Sequence, residues 1–302
     1  MSSLEHHSNP PTLELLRESL PYIRRFKGKT FVVKLSGKVT GSRENLLSLA
    51  EEVALFHQVG FRVVVVHGGG KQLSELAEKL GVPQTIVDGR RVTDERTLEM
   101  AKMVFAGKIR TDILSALRGL GVRTVGISGL DGDIIRARRR RLQRRLDRTT
   151  GREEMIDYGH VGDIVDIDGK LLRLLLDQHY LPVVSSLGAD EQGNVYNINA
   201  DTIAAEIAVH LEAEKLILLS NVDGLMADLD DPSSKISRLT LGEAEALLEK
   251  GQAVEGMIPK LTSIVSLLKR GVRSAHIING QRRNALLQEV FTDSGTGTMI
   301  SA

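Results

Sequence analysis

The stretch Val63-Val64-Val65-Val66-His67-Gly68-Gly69-Gly70 predicts the fold of the chain around it. Four consecutive β-branched residues indicate a strand buried on both faces, as strands of parallel sheets are. Leu73, Leu76, Ala77 and Leu80 then recur at helical spacing. A strand, a glycine turn and a helix together aim backbone N–H groups beyond the strand, where they can bind an anion. A tight turn that binds nothing explains this stretch equally well when it is taken alone.

The composition excludes several classes of protein. The 302 residues are 41% hydrophobic and 26% charged, which is ordinary for a globular protein with a large core. The net charge of +1 gives no general attraction to nucleic acid or to an anionic membrane, and the 3% aromatic content argues against a base-stacking platform. The absence of cysteine excludes disulfides and thiolate chemistry. A polar N-terminus and the lack of any apolar run of membrane-spanning length predict a cytoplasmic protein.

Apolar runs alternate with helical periodicities along the whole chain. The predicted strands cover residues 30–35, 63–66, 122–128, 163–167, 181–186, 215–219 and 275–278. The predicted helices cover residues 12–26, 46–59, 71–80, 97–120, 171–178, 202–211, 241–250 and 261–269. This alternation predicts an α/β fold around a mostly parallel sheet, in which ligands bind at the carboxyl ends of the strands.

Charged side chains at strand ends and turns indicate phosphoryl transfer. Lys34 ends the first strand, Asp201 precedes a helix and Lys260 begins another. The chain has neither a Walker phosphate motif nor a protein-kinase catalytic loop, but ammonium groups and backbone donors suit the charge of a moving phosphoryl group. Two structural alternatives stay open here. Lys34 can simply extend to the surface, and Asp201 can be a helix N-cap, with Asn197 and Asn199 forming a turn.

Arginines form two further groups. Arg90 and Arg91 lie in a polar turn between residues 87 and 93, where either guanidinium can clamp a carboxylate. The segment Arg136–Arg148 has eight arginines in thirteen positions. A nucleic-acid patch is one interpretation of this segment. A solvated arm or hairpin is favoured, because the chain is nearly neutral and no aromatic residues are interleaved with the arginines.

Five motifs stand in the order seen in N-acetyl-L-glutamate kinases, which belong to the amino acid kinase family. They are Lys34-Leu-Ser-Gly37, His67-Gly-Gly-Gly70, Asp88-Gly-Arg-Arg91-Val-Thr, Asn197-Ile-Asn199-Ala-Asp201 and Gly256-Met-Ile-Pro-Lys260. The resemblance runs from about Leu13 to Ile300. It implies ATP-dependent phosphorylation of the side-chain carboxylate of N-acetyl-L-glutamate, the second step of arginine biosynthesis. It also implies a three-layer αβα sandwich around an open, mainly parallel eight-stranded sheet, with residues 28–190 holding the acyl amino acid and residues 191–302 holding ATP.

The resemblance also implies a role for each motif residue. Lys34 and Lys260 resemble the lysines that stabilise the transferring phosphoryl group, and Asp201 resembles the aspartate that orients both ammonium groups. The implied substrate-binding residues are Gly69, Gly70, Arg91 and Asn197. The implied nucleotide-binding residues are Gly37, Ser220, Asn221, Asp223, Gly224 and Leu225. Mg²⁺ is expected to bind with ATP rather than on protein ligands.

The N-terminal segment, residues 1–27, resembles the oligomerisation helix of arginine-inhibited members of the family. Leu13, Leu16, Leu20 and Ile23 form its apolar face, and Pro21 is expected to kink it. In those members the helix interlaces dimers into a hexameric ring. The resemblance therefore implies a hexamer and inhibition by L-arginine, and it leaves docking of a PII signalling protein open. The implied arginine site consists of Tyr22, His276, Glu289 and Gly295.

The chain departs from the family pattern in a few places. Ser36 stands where a second glycine is usual, Lys71 replaces a common proline, and Asn221 and Asn279 replace aspartates. None of these changes removes a charged catalytic group. Three rival functions stay open: a kinase for a related acyl amino acid of the aminoadipate type, a catalytically weak arginine sensor, and a nucleic-acid binder built on the arginine segment.

Overall fold

The computed structural model describes residues 11–87, 90–146, 153–227, 231, 234–250 and 258–302. Several parts of the sequence-based predictions lie outside these residues. They are the tail before residue 11, Asp88 and Gly89 of the polar turn, Arg148 of the arginine segment, and Gly256 and Met257 of the last motif. Among the helices that the structure describes, none combines the length and apolar character needed to span a bilayer.

An eight-stranded sheet forms the centre of the described structure. Its strands follow the order β16 (Arg238–Thr240), β18 (Thr298–Ser301), β17 (Ser274–Asn279), β13 (Lys215–Ser220), β1 (Thr30–Leu35), β2 (Arg62–His67), β10 (Leu181–Ser185) and β5 (Thr124–Ser128). The six strands from β17 to β5 run parallel, whereas β18 pairs antiparallel with β17 and parallel with β16. The predicted α/β fold with a mainly parallel eight-stranded sheet is confirmed.

Helices connect the strands, as the periodicity predicts. In chain order they are α1 (Pro11–Phe26), α2 (Gly37–Thr40), α3 (Arg43–Gln58), α4 (Gly70–Lys79), α5 (Glu95–Ala101), α6 (Arg110–Gly119), α7 (Lys170–Asp177), α8 (Ala200–His210), α9 (Leu241–Glu249), α10 (Ile258–Lys269) and α11 (Ala285–Phe291). The helix predicted over residues 97–120 is interrupted, because the π-helix Lys102–Ile109 joins α5 to α6.

Alternate residues of the central strands point into two hydrophobic cores. Val64 and Val66 pack in the core that contains the buried faces of α8 and α10. Val63 and Val65 pack in the other core, with the buried faces of α3 and α6. Both faces of β2 are therefore covered, which explains why its sequence is a continuous run of valines rather than an alternation.

A second sheet of four strands lies beside the first. Its order is β12 (Val195–Asn197), β11 (Leu187–Ala189), β6 (Ile135–Arg139) and β9 (Gly162–Ile167). Three strand pairs complete the described structure: β3 (Ile86–Val87) with β4 (Arg90–Arg91), β7 (Gln143–Leu146) with β8 (Glu153–Ile156), and β14 (Leu225–Met226) with β15 (Lys235–Ile236). The strand predicted over residues 163–167 thus belongs to the smaller sheet.

The arginine segment contributes β6 and β7. The antiparallel pairing of β7 with β8 agrees with the predicted hairpin. Acidic side chains pair with four of its arginines: Arg136 with Asp166, Arg139 with Asp157, Arg140 with Asp163 and Arg144 with Glu153. These ion pairs lower the free positive charge that a nucleic acid would find there.

Candidate active site

The glycine turn after β2 combines one crowded position with one open position. A Cβ on Gly69 would lie 2.6 Å from Phe105 Cδ1 and would also overlap the Ile109 side chain. A Cβ on Gly70 would meet no heavy atom within 4 Å. Gly69 therefore allows the turn to pack closely against the π-helix. Gly70, the first residue of α4, faces open space, so a ligand can reach its backbone N–H group.

Lys34 and Asp201 form an ion pair at the carboxyl edge of the main sheet. The Lys34 Nζ lies 2.7 Å from Asp201 Oδ1, and the lysine side chain is only 15% exposed. The alternative in which Lys34 extends to the surface is therefore wrong. The side chain of Asn199 accepts hydrogen bonds from the backbone N–H groups of Asp201 and Thr202, so Asn199 is the N-cap of α8. Capping by Asn199 leaves the Asp201 carboxylate available to Lys34.

Lys260 supplies the second ammonium group. It lies in the first turn of α10, and its Nζ donates to Ser220 Oγ at 3.0 Å. Burial lowers the pKa of Lys260, the charge of Asp201 opposes that change, and the charge of Lys34 adds to it. The charges of Asp201 and Lys34 therefore act on Lys260, although of the two lysines it is Lys34 that forms the ion pair with Asp201 in the described structure.

A cleft of about 340 Å³ lies beside these charges. The structure brings six of the predicted site residues into its lining: Gly69, Gly70, Arg91, Asn197, Asp201 and Lys260. Phe105 of the π-helix and Arg140 of the arginine segment line it as well. Nothing in the local sequence predicted these two, because their position in the cleft depends on how the smaller sheet and the π-helix pack.

Arg91 and Asn197 are held by protein contacts in the cleft. Arg91 Nη2 donates to the Gly70 carbonyl at 3.0 Å and to Ser74 Oγ at 2.7 Å, and Nη1 donates to Gln84. Asn197 Nδ2 donates to the Thr93 hydroxyl at 3.2 Å. The guanidinium of Arg91 is thereby tied to the turn that begins α4, so a ligand of Arg91 would also lie close to that turn.

The turn after β1 is linked to α4 by one side chain. Gln72 Nε2 donates to the Gly37 carbonyl and to Thr40 Oγ1, both at 3.0 Å. Ser36 Oγ is buried and finds no partner among the described residues, so the hydroxyl that replaces the usual glycine is unsatisfied.

His67, at the end of β2, is neutral, since burial lowers its pKa to about 4, and its Nδ1–H donates to the Gly68 carbonyl. It is therefore not a third cation in the site.

Five of the six predicted nucleotide-binding residues lie at the end of β13 or just after it, from Ser220 to Leu225. Asp223 accepts hydrogen bonds from Asn279 Nδ2 at 2.8 Å and Arg282 Nη2 at 2.6 Å. Leu225 is buried in the core, and Gly224 adopts a positive φ of 136° that favours glycine. In the described structure Gly37 and residues 220–225 lie outside the lining of the 340 Å³ cleft. Their contact with a nucleotide stays a prediction.

Two of the four predicted arginine-site residues, His276 and Glu289, form a buried charged cluster with Lys215. His276 Nδ1–H donates to Glu289 Oε1 at 2.6 Å, and Lys215 Nζ donates to His276 Nε2 at 2.9 Å. Burial lowers the pKa of His276 and also lowers the pKa of Lys215 to about 8. The cluster therefore contains an ammonium, a neutral imidazole and a carboxylate at neutral pH. Lys215 was not predicted, because its sequence position is the first residue of an apolar strand.

Tyr22 and Gly295 are linked to this cluster through the loop that follows α11. The Tyr22 hydroxyl donates to Asp293 Oδ1 at 2.7 Å and so joins α1 to the loop before β18. Gly295 has a φ of +60°, and a Cβ there would lie 2.8 Å from Glu289 Oε2. The same Glu289 oxygen accepts the backbone N–H groups of Thr296 and Gly297. All four predicted residues therefore lie on the loop between α11 and β18 or on elements that contact it.

Known proteins resemble this chain in sequence. Residues 29–279 match the sequence model of the Amino acid kinase family. The acetylglutamate kinase of Methanocaldococcus jannaschii is 44% identical over 288 residues, which are 95% of each chain. The acetylglutamate kinase of Methanoregula boonei is 46% identical over 289 residues, which are 95% of this chain and 98% of that one.

A solved structure resembles the whole described fold. The N-acetylglutamate synthase of Neisseria gonorrhoeae, complexed with coenzyme A and N-acetyl-glutamate, has a TM-score of 0.83 and 32% identity. The match covers 97% of this chain and 64% of the synthase, so this chain spans just under two thirds of that protein. The sequence and fold matches agree: the chain belongs to the amino acid kinase family and, within it, to the acetylglutamate kinases.

Proposed function

We propose that this chain transfers the γ-phosphoryl group of ATP to the side-chain carboxylate of N-acetyl-L-glutamate. The products are N-acetyl-L-glutamyl 5-phosphate and ADP, and the reaction is the second step of arginine biosynthesis. The observation that carries the proposal is the Lys34–Asp201 ion pair at a cleft that is lined by Asp201 and by Lys260. The identity of the substrate is inferred from the acetylglutamate kinases that are 44% and 46% identical to this chain. The enzyme is proposed to act in the cytoplasm, where ATP is abundant.

The chemistry explains why two lysines and one aspartate suffice. The substrate carboxylate is already ionised at neutral pH, so the attack needs no general base. One carboxylate oxygen bonds to the γ-phosphorus while the bond to the ADP oxygen breaks. The ammonium groups of Lys34 and Lys260 neutralise the charge on the phosphoryl oxygens, and Asp201 keeps both in place. Transfer is direct, so no covalent enzyme intermediate forms. Mg²⁺ binds with the ATP phosphates, which supply the oxygen ligands that it prefers.

The remaining predicted residues divide between the two reactants. We assign the carboxylate that is not phosphorylated to Arg91 and Asn197, which both line the cleft. Gly69 and Gly70 border the same space, and the backbone N–H groups of Gly37 and Gly70 are proposed to bind phosphoryl oxygens. Residues 28–190 then hold the acyl amino acid together with Asn197, and residues 191–302 hold ATP through Ser220, Asn221, Asp223, Gly224 and Leu225. The two regions share one sheet, because β13 pairs directly with β1.

Regulation by L-arginine is the second part of the proposal. Among the proposed arginine-site residues, Glu289 carries the carboxylate that can pair with the guanidinium of the ligand. In the described structure its two oxygens accept hydrogen bonds from His276, Thr296 and Gly297, so bound arginine has to displace some of these contacts. Tyr22 connects this region to α1, the helix proposed to join dimers into a hexamer. Sedimentation should give a hexamer, and millimolar arginine should inhibit turnover. Dimers together with unchanged activity would contradict this part alone. A PII-type signalling protein added to the same sedimentation run tests the third implied partner.

An ADP-release assay tests the reaction. N-acetyl-L-glutamate should be turned over faster than N-acetyl-L-2-aminoadipate or L-glutamate. Lys34→Ala and Lys260→Ala should each lower kcat at least ~100-fold, because each removes a cation from the transition state. Lys269→Ala is the matched control, since Lys269 lies at the far end of α10 in an exposed ion pair with Glu245. Faster turnover of the aminoadipate derivative, or full activity in either variant, would contradict the proposal.

A further inference from the structure

One arginine of the arginine segment differs from its neighbours in position. Arg140 follows β6, and its backbone N–H donates to the Val161 carbonyl at 2.8 Å. Val161 in turn forms a β-bridge with Asn197. The three residues therefore lie side by side on the smaller sheet, and all three line the cleft. Arg140 is thus placed on the same wall as a predicted substrate-binding residue.

The guanidinium of Arg140 is fixed in place. Its Nε and Nη2 both donate to Asp163 Oδ1, at 2.9 and 2.7 Å. The guanidinium carbon lies 5.9 Å from the centre of the Tyr158 ring, within cation–π range. A guanidinium carries five N–H donors, and the contacts with Asp163 use two of them. Nη1 has no hydrogen-bond partner among the residues that the structure describes, so one edge of the group stays available.

Burial separates Arg140 from the other ion-paired arginines of the segment. Its side chain is 15% exposed, whereas those of Arg136, Arg139 and Arg144 are 52%, 56% and 72% exposed. Those three arginines have the exposure expected of a solvated arm. A largely buried cation at the wall of a cleft is instead suited to an anionic ligand. Burial removes part of the hydration of the guanidinium, and a bound anion replaces that lost interaction.

We propose that Arg140 binds the carboxylate of the acyl amino acid that is not phosphorylated, as a second guanidinium beside Arg91. This inference rests on the proposed function, in which the other carboxylate points toward Lys34. The contacts of Arg91 with the Gly70 carbonyl and Ser74 leave less of its hydrogen-bonding capacity for a ligand. The planar fork of Arg140 matches the two oxygens of a carboxylate. Asp163 is the positioning residue that holds this fork.

The test compares Arg140→Gln with Arg139→Gln, which removes an exposed arginine from the adjacent position. Arg140→Gln should raise KM for N-acetyl-L-glutamate at least ~10-fold, while kcat and KM for ATP stay within about threefold. Arg139→Gln should change none of these. Asp163→Asn should raise the same KM by a smaller factor, because Arg140 keeps its charge and loses its anchor. An unchanged KM in Arg140→Gln would overturn the proposal.

An analogue separates binding from a structural role. In N-acetyl-L-isoglutamine the carboxylate in question is a neutral amide. The wild type should prefer the acid over this amide, and Arg140→Gln should lose at least ~5-fold of that preference. Arg140→Lys keeps the charge without the planar fork and should lose part of the preference for the acid. This variant replaces Arg140→Gln in the test if Arg140→Gln does not fold. An equal rise in KM for both ligands would assign Arg140 a structural role only. Wild-type turnover tests the proposed function separately, because only the difference between variants bears on Arg140.

Discussion

Replacing Asp201 with asparagine removes a charge with almost no change in shape, so its effect can be worked from the geometry of the site. The lost contact is the 2.7 Å pair with Lys34. At an effective dielectric constant near 20, Coulomb's law gives about 6 kcal/mol for unit charges 2.7 Å apart, and screening by solvent at the two partly exposed side chains reduces this to about 3 kcal/mol. Lys34 and Lys260 then repel each other without a shared anion. We expect kcat to fall ~100-fold, which corresponds to about 3 kcal/mol of transition-state stabilisation.

The pH profile gives this variant a distinctive signature. The charge of Asp201 raises the pKa of Lys260 against the effect of burial. In Asp201→Asn that pKa falls further, so Lys260 loses its proton at lower pH and the alkaline limb of the kcat profile moves toward neutrality. Steady-state ADP release between pH 6 and pH 10 measures both effects. Asp166→Asn, which breaks an exposed pair with Arg136, is the control and should change neither. A kcat within threefold of the wild type and an unmoved alkaline limb would refute the proposed role of Asp201.

Three further predictions concern stability. Gly69→Ala should destabilise the fold by about 2 kcal/mol in urea unfolding, because the added Cβ would overlap the Phe105 and Ile109 side chains. Gly70→Ala is the control and should stay within about 0.5 kcal/mol of the wild type. Equal losses in the two variants would contradict the packing described for Gly69. Lys215 has a folded pKa of about 8, below its ordinary 10.5, so the folded chain binds fewer protons than the unfolded chain between these values. The free energy of unfolding should therefore rise there by about 1 kcal/mol per pH unit relative to Lys215→Met, and parallel profiles would exclude this titration. Glu52→Ala should cost about 2 kcal/mol, because the buried carboxylate accepts two backbone N–H groups of α11; an exposed neighbour, Glu51→Ala, should cost much less, and equal losses would contradict it.

The central strands could be predicted to within a residue or two, since burial on both faces produces an uninterrupted apolar run. The last strand could not. β18 has only two apolar residues, Met299 and Ile300, and exists through its pairing with β16 and β17. The π-helix has no local sequence signature either, because its packing against Gly69 is a property of the assembled fold. Long-range pairing therefore determined the elements that the sequence pattern did not predict.

The same division applies to the candidate site. The approach of Lys34 to Asp201 was predictable in outline, because Lys34 ends a strand of the parallel sheet and Asp201 begins a helix at a turn. The position of Lys260, in the first turn of α10, was expected from the motif resemblance. Local geometry was not predictable. The choice of Asn199 over Asp201 as helix cap depends on where the backbone becomes helical, because Asn199 is the extended residue whose side chain accepts the first free N–H groups. The position of Arg140 in the cleft depends on the second sheet, which could not be assembled from the sequence pattern alone.

The most direct test of the central claim is to identify the bond that is made. An acyl phosphate reacts with hydroxylamine to give a hydroxamate and inorganic phosphate, whereas phosphate esters do not react in this way. With ATP, N-acetyl-L-glutamate and hydroxylamine, the wild-type chain should form one hydroxamate for each ADP released, and Lys34→Ala should form almost none. Release of ADP without hydroxamate would show that the carboxylate is not the acceptor, and would contradict the account of this site.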